Sequence, residues 1–393
     1  MRNFLLLFIT SIAFGQSVTK SIRLLPDTGQ TTSYTATVGE DNDYSINIPS
    51  FTDNGNGTIT DMVTGLMWQQ VDGGEMTIEN ASTYCSTLTL GGYSDWRLPT
   101  PLESFSILNL QRNNPALNTT YFPSSGADYW WTNTFQVNDN TKVWCTNAGG
   151  GIGNKPKSET LSAGGNKSYH VRAVRDVNVP IILANHYTDN GDGTISDNLT
   201  QLVWQKVPTL TPLTWEQALS YAEGLTLAGV SDWRLPNIKE LQSLNDESVV
   251  NPSVNTAYLS AIGVKNYWSS TTLLPNPSNL TSAWYWNTQF GITTYDIKTN
   301  TNYVICVRGI PNSLANQEVV NETNRIKVSP NPFQSKLNIA NSKGSEVYEF
   351  YDEEGKQIYI GRYLDKQDFS ALPNGVYFLK ISGTSTVFKF VKQ

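Results

Sequence analysis

A six-residue segment that occurs twice restricts the fold of this chain more than any other feature. Ser-Asp-Trp-Arg-Leu-Pro at residues 94–99 returns unchanged at residues 231–236, 137 positions later. The Asn/Asp-Gly cluster at residues 53–61 returns at residues 189–197, and Tyr129-Trp130 returns as Tyr267-Trp268 with an offset of 138. Self-similarity at a nearly fixed spacing indicates that the chain carries one domain twice.

Composition restricts the class of protein and of partner. The chain has 393 residues, of which 16% are charged and 11% are aromatic, with 29 glycines, a balance typical of loop-rich extracellular proteins. A net charge of -7 argues against a nucleic-acid partner, which requires a basic face. Two histidines leave little material for imidazole catalysis or a zinc site.

The amino terminus has the pattern of an export signal. A short positive region precedes an apolar run from Phe4 to Ile12, and Ala13-Phe14-Gly15 supplies small residues before a cleavage site. Residues 1–15 are therefore predicted to be a signal peptide. No later run reaches the roughly 18 apolar residues of a membrane-spanning helix, so no transmembrane segment is expected.

The repeats and the composition between them divide the remaining chain. We expect an extended lead-in that packs on the first repeat, two repeats, a polar linker, and a carboxy-terminal β-sandwich of short alternating strands. In that order, the predicted boundaries are residues 16–50, 51–178, 179–310, 311–325 and 326–393.

Each repeat is predicted to be an α+β unit with the order strand, strand, helix, helix, strands. Asn/Asp-Gly turns between short apolar runs indicate a β-hairpin. Capping boxes begin the helices, with Thr100 and Asn237 each followed three residues later by glutamate, and Thr214 followed by Gln217. The last strand of each repeat is expected to pair with its first.

The repeated letters resemble a known family. The pattern D-N-G-[N/D]-G-T-I-x-D, L-x-W-Q, G-x-S-D-W-R-L-P and V-x-x-V-R resembles the Lcl C-terminal domain over roughly 250 residues. That resemblance implies a variant of the C-type lectin fold in both repeats. It also implies a use in adhesion to sulfated or other glycans.

The carboxy-terminal residues resemble a second family. Val-Ser-Pro-Asn-Pro-Phe at residues 328–333, Leu-Pro-Asn-Gly-Val-Tyr-Phe-Leu at residues 372–379 and the terminal Lys-Phe-Val-Lys-Gln are similar to the type A sorting domain of the type IX secretion system. The resemblance implies an immunoglobulin-like sandwich over residues 326–393 that contacts the secretion machinery. It further implies a Gram-negative, Bacteroidota-type bacterium, with the protein secreted or on the outer cell surface.

Two polar motifs are candidates for a metal site or a catalytic site. Counting from Asp189, Gly191 and Gly193 occupy positions where a calcium loop needs oxygen donors, so a hairpin turn is favoured and calcium is the minor alternative. No other metal or cofactor is expected. The Asp and Arg that flank Trp96 and Trp233 are expected to form structural ion pairs rather than a catalytic site, and no catalytic residue is predicted.

Three cysteines leave the disulfide pairing open. Lectin-like domains usually bridge the first helix to the last strand, but Cys85 has Ala222 as its counterpart and Cys306 has Ala173. The resemblance therefore favours a Cys85–Cys145 bridge and an unpaired Cys306.

Aromatic side chains in the second half of each repeat are the candidate ligand contacts, since sugars stack on flat apolar rings. Strand alternation places Trp284 and Trp286 on one face and Tyr285 on the other. Core packing is expected for Trp130 and Trp268, which share the repeated Tyr-Trp setting. The candidate ligand-binding residues are Trp131, Trp144, Tyr285 and Trp286.

These observations favour a non-enzymatic, adhesin-like surface protein that binds a polysaccharide or glycoconjugate. The first alternative is a protein-binding or structural surface module. The second is an enzyme built on the lectin-like scaffold. Fold alone does not decide among them.

Overall fold

The computed structural model describes residues 18–159, 169–274, 280–309, 327–330, 332–340, 346–352, 355–381 and 387–393. The predicted signal peptide (residues 1–15) and linker (residues 311–325) lie outside the described residues. The chain divides into two compact units, Met1–Ile310 and Pro311–Gln393. With 35% of residues in strands and 12% in helices, the architecture is mainly β-sheet with a few short helices.

In their described residues, the first repeat and the segment before it contain nine strands and two α-helices. In chain order they are β1 (Val18–Lys20), β2 (Phe51–Asp53), β3 (Thr58–Asp61), β4 (Leu66–Gln69), α1 (Ile78–Thr87), α2 (Pro101–Ser106), β5 (Tyr129–Gln136), β6 (Asp139–Asn147), β7 (Ile152–Pro156), β8 (Tyr169–His170) and β9 (Val174–Asp176).

The link and the second repeat follow the same order. Their elements are β10 (Ile181–Leu183), β11 (Tyr187–Asp189), β12 (Thr194–Asp197), β13 (Leu202–Gln205), α3 (Trp215–Glu223), α4 (Ile238–Ser243), β14 (Asn266–Thr272), β15 (Ser282–Asn287), β16 (Ile292–Ile297) and β17 (Val307–Gly309).

Each repeat is built on two sheets. The first sheet has the order β2-β3-β4-β9 in repeat 1 and β11-β12-β13-β17 in repeat 2. The second has the order β7-β6-β5-β8 in repeat 1 and β14-β15-β16 in repeat 2. The predicted strand order was wrong in two respects: three strands precede the first helix, and the last strand pairs with the third. In the hairpin order β3 is covered on both sides, and of the two outer strands it is β4 that pairs with β9.

Turn and capping chemistry forms as the sequence predicted. Gly55 and Gly57 have positive φ angles of 71° and 82° in the turn between β2 and β3, and Asp53 Oδ1 accepts the Gly55 N–H over 2.8 Å. This is a hairpin turn held by a local carboxylate. Capping boxes begin α2, α3 and α4.

The two repeats share one hydrophobic core. A single cluster includes Trp68 and Phe105 from repeat 1 together with Trp204 and Trp286 from repeat 2. Each repeat adds a smaller cluster of its own, between its first helix and its second sheet. The repeats are therefore halves of one packed unit.

The lead-in packs on both repeats, whereas the sequence predicted contact with the first alone. β1 pairs with β10, and Gln30 Nε2 donates to Leu110 O over 3.2 Å and to Thr272 O over 2.7 Å. Lys239, on α4 of repeat 2, donates from Nζ to Asp27 O over 2.8 Å and to Ser106 O over 2.7 Å. These buried polar contacts join the lead-in to both repeats. No periodic pattern in the sequence predicts them.

The carboxy-terminal unit is all-β in its described residues. It contains β18 (Lys327–Ser329), β19 (Asn338–Ala340), β20 (Tyr348–Asp352), β21 (Gln357–Gly361), β22 (Gly375–Ile381) and β23 (Val387–Lys392). The strands form a pair, β18-β19, and a four-stranded sheet of order β21-β20-β22-β23. Phe333 lies at the centre of its core, with four aromatic rings within 6.3 Å of its own. Across the described part of the chain, no helix is long and apolar enough to cross a membrane.

Candidate functional site

Three of the four aromatic residues predicted to bind ligand are in the core. Trp131 is 0% exposed, Trp144 is 1% exposed and Trp286 is 0% exposed. A ring without accessible surface cannot stack on a sugar, so the prediction was wrong for these three side chains. Tyr285 is half-buried, with its ring edge-on to Trp268 at 6.2 Å, and for it ligand binding stays a prediction.

The error at Trp131 has a simple origin. Trp131 Nε1 donates to Met76 O over 2.9 Å, and Trp268 Nε1 donates to Leu213 O over 2.9 Å. Trp131 is thus the counterpart of Trp268, at the same 137-residue spacing as the segment at residues 94–99. The matching Tyr-Trp letters had instead indicated a spacing of 138 residues, which pairs Trp130 with Trp268. Trp130, also expected in the core, is 5% exposed.

The repeated Asp and Arg residues form ion pairs, as predicted. Arg97 donates to both carboxylate oxygens of Glu103 over 2.7 and 2.8 Å. Asp95 accepts from Arg175 Nε over 2.7 Å, and Asp232 accepts from Arg308 Nε over 2.6 Å. These pairs fasten the helix start and the last strand of each repeat.

Repeat 1 also brings a half-buried serine together with a buried histidine and a buried aspartate. Asp72 lies 3.0 Å from His170 Nδ1 and accepts hydrogen bonds from Ser125 Oγ and from Trp130 Nε1. Burial alone would raise the pKa of Asp72, but these bonds and the charge of Arg172 outweigh it and hold the pKa below its usual value. In a catalytic triad the serine hydroxyl bonds to the imidazole, and the imidazole bonds to the carboxylate. Here Ser125 bonds to the carboxylate of Asp72 instead, so these three residues do not have the arrangement of a triad.

A groove is open on the surface of repeat 1. It encloses about 360 Å³ between α1, which contributes Glu79, Ser82 and Ser86, and β5, which contributes Asn133 and Phe135. Phe135 is 44% exposed. We call this feature the open groove.

A second cavity of about 310 Å³ lies where the repeats meet. Val18 of the lead-in and Leu102 of α2 form part of its wall, and repeat 2 contributes the polar remainder. The polar lining consists of His186, Gln242, Ser243, Asn245, Asp246, Glu247, Ser248 and Asn255. We call this feature the junction pocket; its size is at the lower end for small-molecule sites.

Gln242 is the unusual member of the junction pocket. Its side chain is 2% exposed, yet neither its amide oxygen nor its amide nitrogen has a hydrogen-bond partner among the described residues. His186 Nε2 lies 3.3 Å from Asp197 Oδ1 without hydrogen-bonding geometry. An unpartnered buried amide costs about 1–3 kcal/mol of folding free energy, so a rotation of the Gln242 side chain that brings its amide into the junction pocket would let a ligand with hydroxyl groups satisfy it.

Carboxylates give the junction pocket its electrostatic character. Burial raises the pKa of Glu247 to about 7, against the hydrogen bond that Asn245 Nδ2 donates to Glu247 Oε1 over 3.1 Å. Asp246 Oδ1 accepts from Ser248 N over 3.0 Å. The wall therefore offers carboxyl oxygens that accept hydrogen bonds from hydroxyl groups.

Sequence comparison of the two repeats contained the signal for this pocket, which our sequence interpretation missed. At the 137-residue offset, Gln242 matches Phe105, Asn245 matches Leu108, and Glu247 matches Leu110. The three residues of repeat 1 are buried in the core. Polar replacement of three core positions, in one copy only, is the pattern expected of a site acquired by that copy.

Cysteines and metal ligands add no chemistry to either site. No disulfide bond joins Cys85 to Cys145 in the structure, contrary to the pairing that the family resemblance favoured. Both side chains pack as small apolar groups in the same core cluster, where burial raises the pKa of Cys85 to about 12. Among the described residues, no three His, Cys, Asp or Glu side chains are grouped to hold a metal ion.

Comparison with known proteins agrees with both resemblances. The Lcl C-terminal domain family matches residues 57–175 and 193–308, and the secretion system C-terminal sorting domain, of the type IX system, matches residues 327–393. No curated protein matches the sequence. Among solved structures, one similar chain is PorZ, an essential surface component of the type-IX secretion system of Porphyromonas gingivalis. It is 15% identical, with a TM-score of 0.16, and the alignment covers 67% of this chain but only 30% of that one.

Proposed function

The chain belongs to the Lcl C-terminal domain family, and on that premise we propose that it is a non-enzymatic surface protein that binds a neutral glycan in the junction pocket. Its sorting domain makes it a substrate of the type IX secretion machinery, typical of secreted and cell-surface proteins of Bacteroidota-type bacteria. We extend the proposal to the fold: each repeat is a variant of the C-type lectin fold, which its two helices and two sheets support.

The observation that carries the proposal is the buried, unpartnered amide of Gln242. A sugar ring presents several hydroxyl groups close together, each able to donate and to accept a hydrogen bond. Rotated into the pocket, the Gln242 amide would supply a donor and an acceptor. Asp246 and Glu247 supply acceptors, while Val18 and Leu102 supply apolar wall for the carbon skeleton. Binding would satisfy polar atoms that folding alone leaves without partners.

The charge of the pocket favours a neutral ligand over a sulfated one. Asp246 and Glu247 line the pocket of a chain whose net charge is -7. A sulfate group placed beside these carboxylates would meet repulsion in a site of low dielectric. The ligand class is therefore narrower than the sulfated or other glycans that the family resemblance implies.

Replacement of Gln242 tests the proposal. The mature full-length chain is applied to an array of neutral and sulfated polysaccharides, together with Gln242→Leu and a control, Tyr285→Ala. We expect wild type and Tyr285→Ala to bind neutral glycans, and Gln242→Leu to bind at least about tenfold more weakly, since one lost hydrogen-bonding group corresponds to about 1.4 kcal/mol. Because the leucine removes an unpartnered polar group, Gln242→Leu should unfold at the same temperature as wild type or higher.

The opposite pattern would place the site elsewhere. Loss of binding in Tyr285→Ala but not in Gln242→Leu would assign recognition to the face of β15. Absence of binding to every glycan on the array would contradict the proposal altogether.

A protein-binding function is the second candidate, and one observation favours it. In repeat 2 the groove equivalent to the open groove is filled by polypeptide, the chain's own lead-in, through hydrogen bonds such as that from Thr35 Oγ1 to Glu216 over 2.9 Å. Binding of a protein partner that neutral polysaccharide does not displace would favour this candidate.

A further inference from the structure

The two repeats present the same groove in two states. At the 137-residue offset, Glu79 of the open groove matches Glu216, and Arg97 matches Arg234. In repeat 2, lead-in residues 27–44 lie across these positions. We call that region of repeat 2 the covered groove.

The lead-in is held in the covered groove by side chains on both of its walls. On the helix wall, Glu216 accepts from Thr35 Oγ1 over 2.9 and 3.1 Å, and Glu223 accepts from Tyr44 Oη over 2.5 Å. On the strand wall, Thr271 Oγ1 donates to Asp41 Oδ2 over 2.5 Å.

Two further contacts fit the lead-in closely to the groove. The Tyr44 ring lies 5.5 Å from the Arg234 guanidinium. Gly39, at a φ of 110°, passes so close to Glu223 that a Cβ would lie 3.0 Å from its carboxylate. The segment is thus bound as an irregular peptide, with bends and a 3-10 turn at Asp41–Asp43, and not as a strand of the sheet.

Solvent exposure shows that, among the described residues, no such segment covers the open groove. One side chain, Lys157, reaches its rim, with Nζ 3.4 Å from Glu79 Oε1 and 5.7 Å from the centre of the Phe135 ring. The Arg97 side chain is 33% exposed, against 5% for Arg234. Phe135 is 44% exposed, whereas its counterpart Thr272 is fully buried. Glu79 is exposed, whereas Glu216 is half-buried.

We propose that the open groove of repeat 1 binds an irregular polypeptide segment of a partner protein, of the same chemistry as the lead-in. Glu79 would accept a hydroxyl as Glu216 does. The guanidinium of Arg97 would lie beside an aromatic ring, as that of Arg234 lies beside Tyr44. These two contacts use the residue types that already hold polypeptide in the covered groove.

The remaining positions differ between the grooves and define the preference of the open one. Ser86 replaces Glu223, so a tyrosine hydroxyl loses its carboxylate acceptor there. Phe135 replaces Thr272 and adds an exposed ring, which favours an apolar or aromatic side chain in the partner. The open groove is therefore related to the covered one but is selective for a different segment.

A peptide added in trans tests the inference on the mature full-length chain. A fluorescent peptide of residues 27–44, in which Tyr44→Phe removes the hydroxyl that has no carboxylate acceptor in the open groove, is titrated and its anisotropy measured. The covered groove is filled by the tethered lead-in at high effective concentration, so free peptide is expected to bind in the open groove. We expect saturable binding that Glu79→Gln weakens about tenfold, the loss of one charge-assisted hydrogen bond. Glu216→Gln, the matched control, should bind as wild type does.

Three results would overturn the inference: no saturable binding, equal binding by wild type and Glu79→Gln, or a loss confined to Glu216→Gln. Displacement of the peptide by neutral oligosaccharide, with the same dependence on Glu79, would also overturn it, because the groove would then be a glycan site. The inference is separable from the proposed function, since Gln242→Leu should bind the peptide normally and Glu79→Gln should bind glycan normally.

Discussion

Arg97 and Arg234 hold the same partner in different surroundings. Arg97 pairs with Glu103 and also with Asp176, at 3.0 Å, on the rim of the open groove. Arg234 pairs with Glu240 at 2.6 Å beneath the lead-in, where both side chains are almost completely buried. The same repeated sequence therefore creates a partly hydrated ion pair in one copy and a desolvated pair in the other.

Neutralising the two glutamates should separate these environments. We expect Glu240→Gln to destabilise the first unit by about 3–5 kcal/mol, because it leaves Arg234 charged and buried with its partner gone. Glu103→Gln should cost clearly less, since Arg97 retains Asp176 and contact with water. Urea denaturation of both variants measures the difference, and equal losses of unfolding free energy would refute it.

Residue types alone did not reveal which aromatics are accessible. Strand alternation correctly places Trp284 and Trp286 on one face and Tyr285 on the other. The two tryptophans belong to the core shared by the repeats, and Tyr285 packs against the smaller cluster of repeat 2. It does not reveal that both faces of the second sheet are covered, one by the core shared between repeats and the other by the first helix of each repeat. By contrast, the ion pairs around Trp96 were predictable, because a charged residue directly before a capped helix has local partners.

At the scale of elements, the lead-in was the segment least accessible to sequence reasoning. It has almost no regular secondary structure, and its buried groups are polar. Asp41, 3% exposed, accepts from Thr28 Oγ1 over 2.9 Å and from Thr271 Oγ1 over 2.5 Å. Burial raises its pKa to about 8. Such contacts depend on partners far away in the sequence, so no local pattern predicts them.

Asp41 should make the stability of the first unit depend on pH. Its pKa is about 8 in the folded chain against an ordinary value of 3.8, so the folded state binds the extra proton between about pH 4 and pH 8. Stability should therefore be highest near pH 4 and should fall as the pH rises to 8. Asp41→Asn, which keeps an oxygen acceptor for Thr271, should flatten this slope in thermal unfolding between pH 5 and pH 8.

Glu247 also contributes to the pH dependence of stability, so Asp41 does not account for all of it. Its raised pKa of about 7 gives a slope of the same sign, so Asp41→Asn should reduce the dependence without removing it. An unchanged slope in Asp41→Asn would show that Asp41 is ionised in the fold across the whole range.

At the scale of the whole molecule, duplication was readable from the sequence but its consequences were not. Each copy keeps the hairpin, the capping boxes and the ion pairs, which local letters determine. The shared core and the filling of one groove depend on contacts far apart in the sequence, as in the hydrogen bond that Gln30 Nε2 donates to Thr272 O, 242 positions away. Asymmetry between the copies therefore locates both candidate sites: three core positions become polar in repeat 2, and one groove stays open in repeat 1.

Removal of the carboxy-terminal unit should separate export from folding. The chain divides at Pro311, and residues 327–393 match the sorting domain of the type IX secretion system. Each unit has its own hydrophobic core, so a chain that ends at residue 310 should keep the unfolding temperature of the first unit and its glycan and peptide binding. In a host with this secretion system, the same truncation should abolish surface exposure, as measured by protease accessibility of whole cells. Export that persists without residues 311–393 would refute the role of the tail, and a lowered unfolding temperature would refute the independence of the first unit.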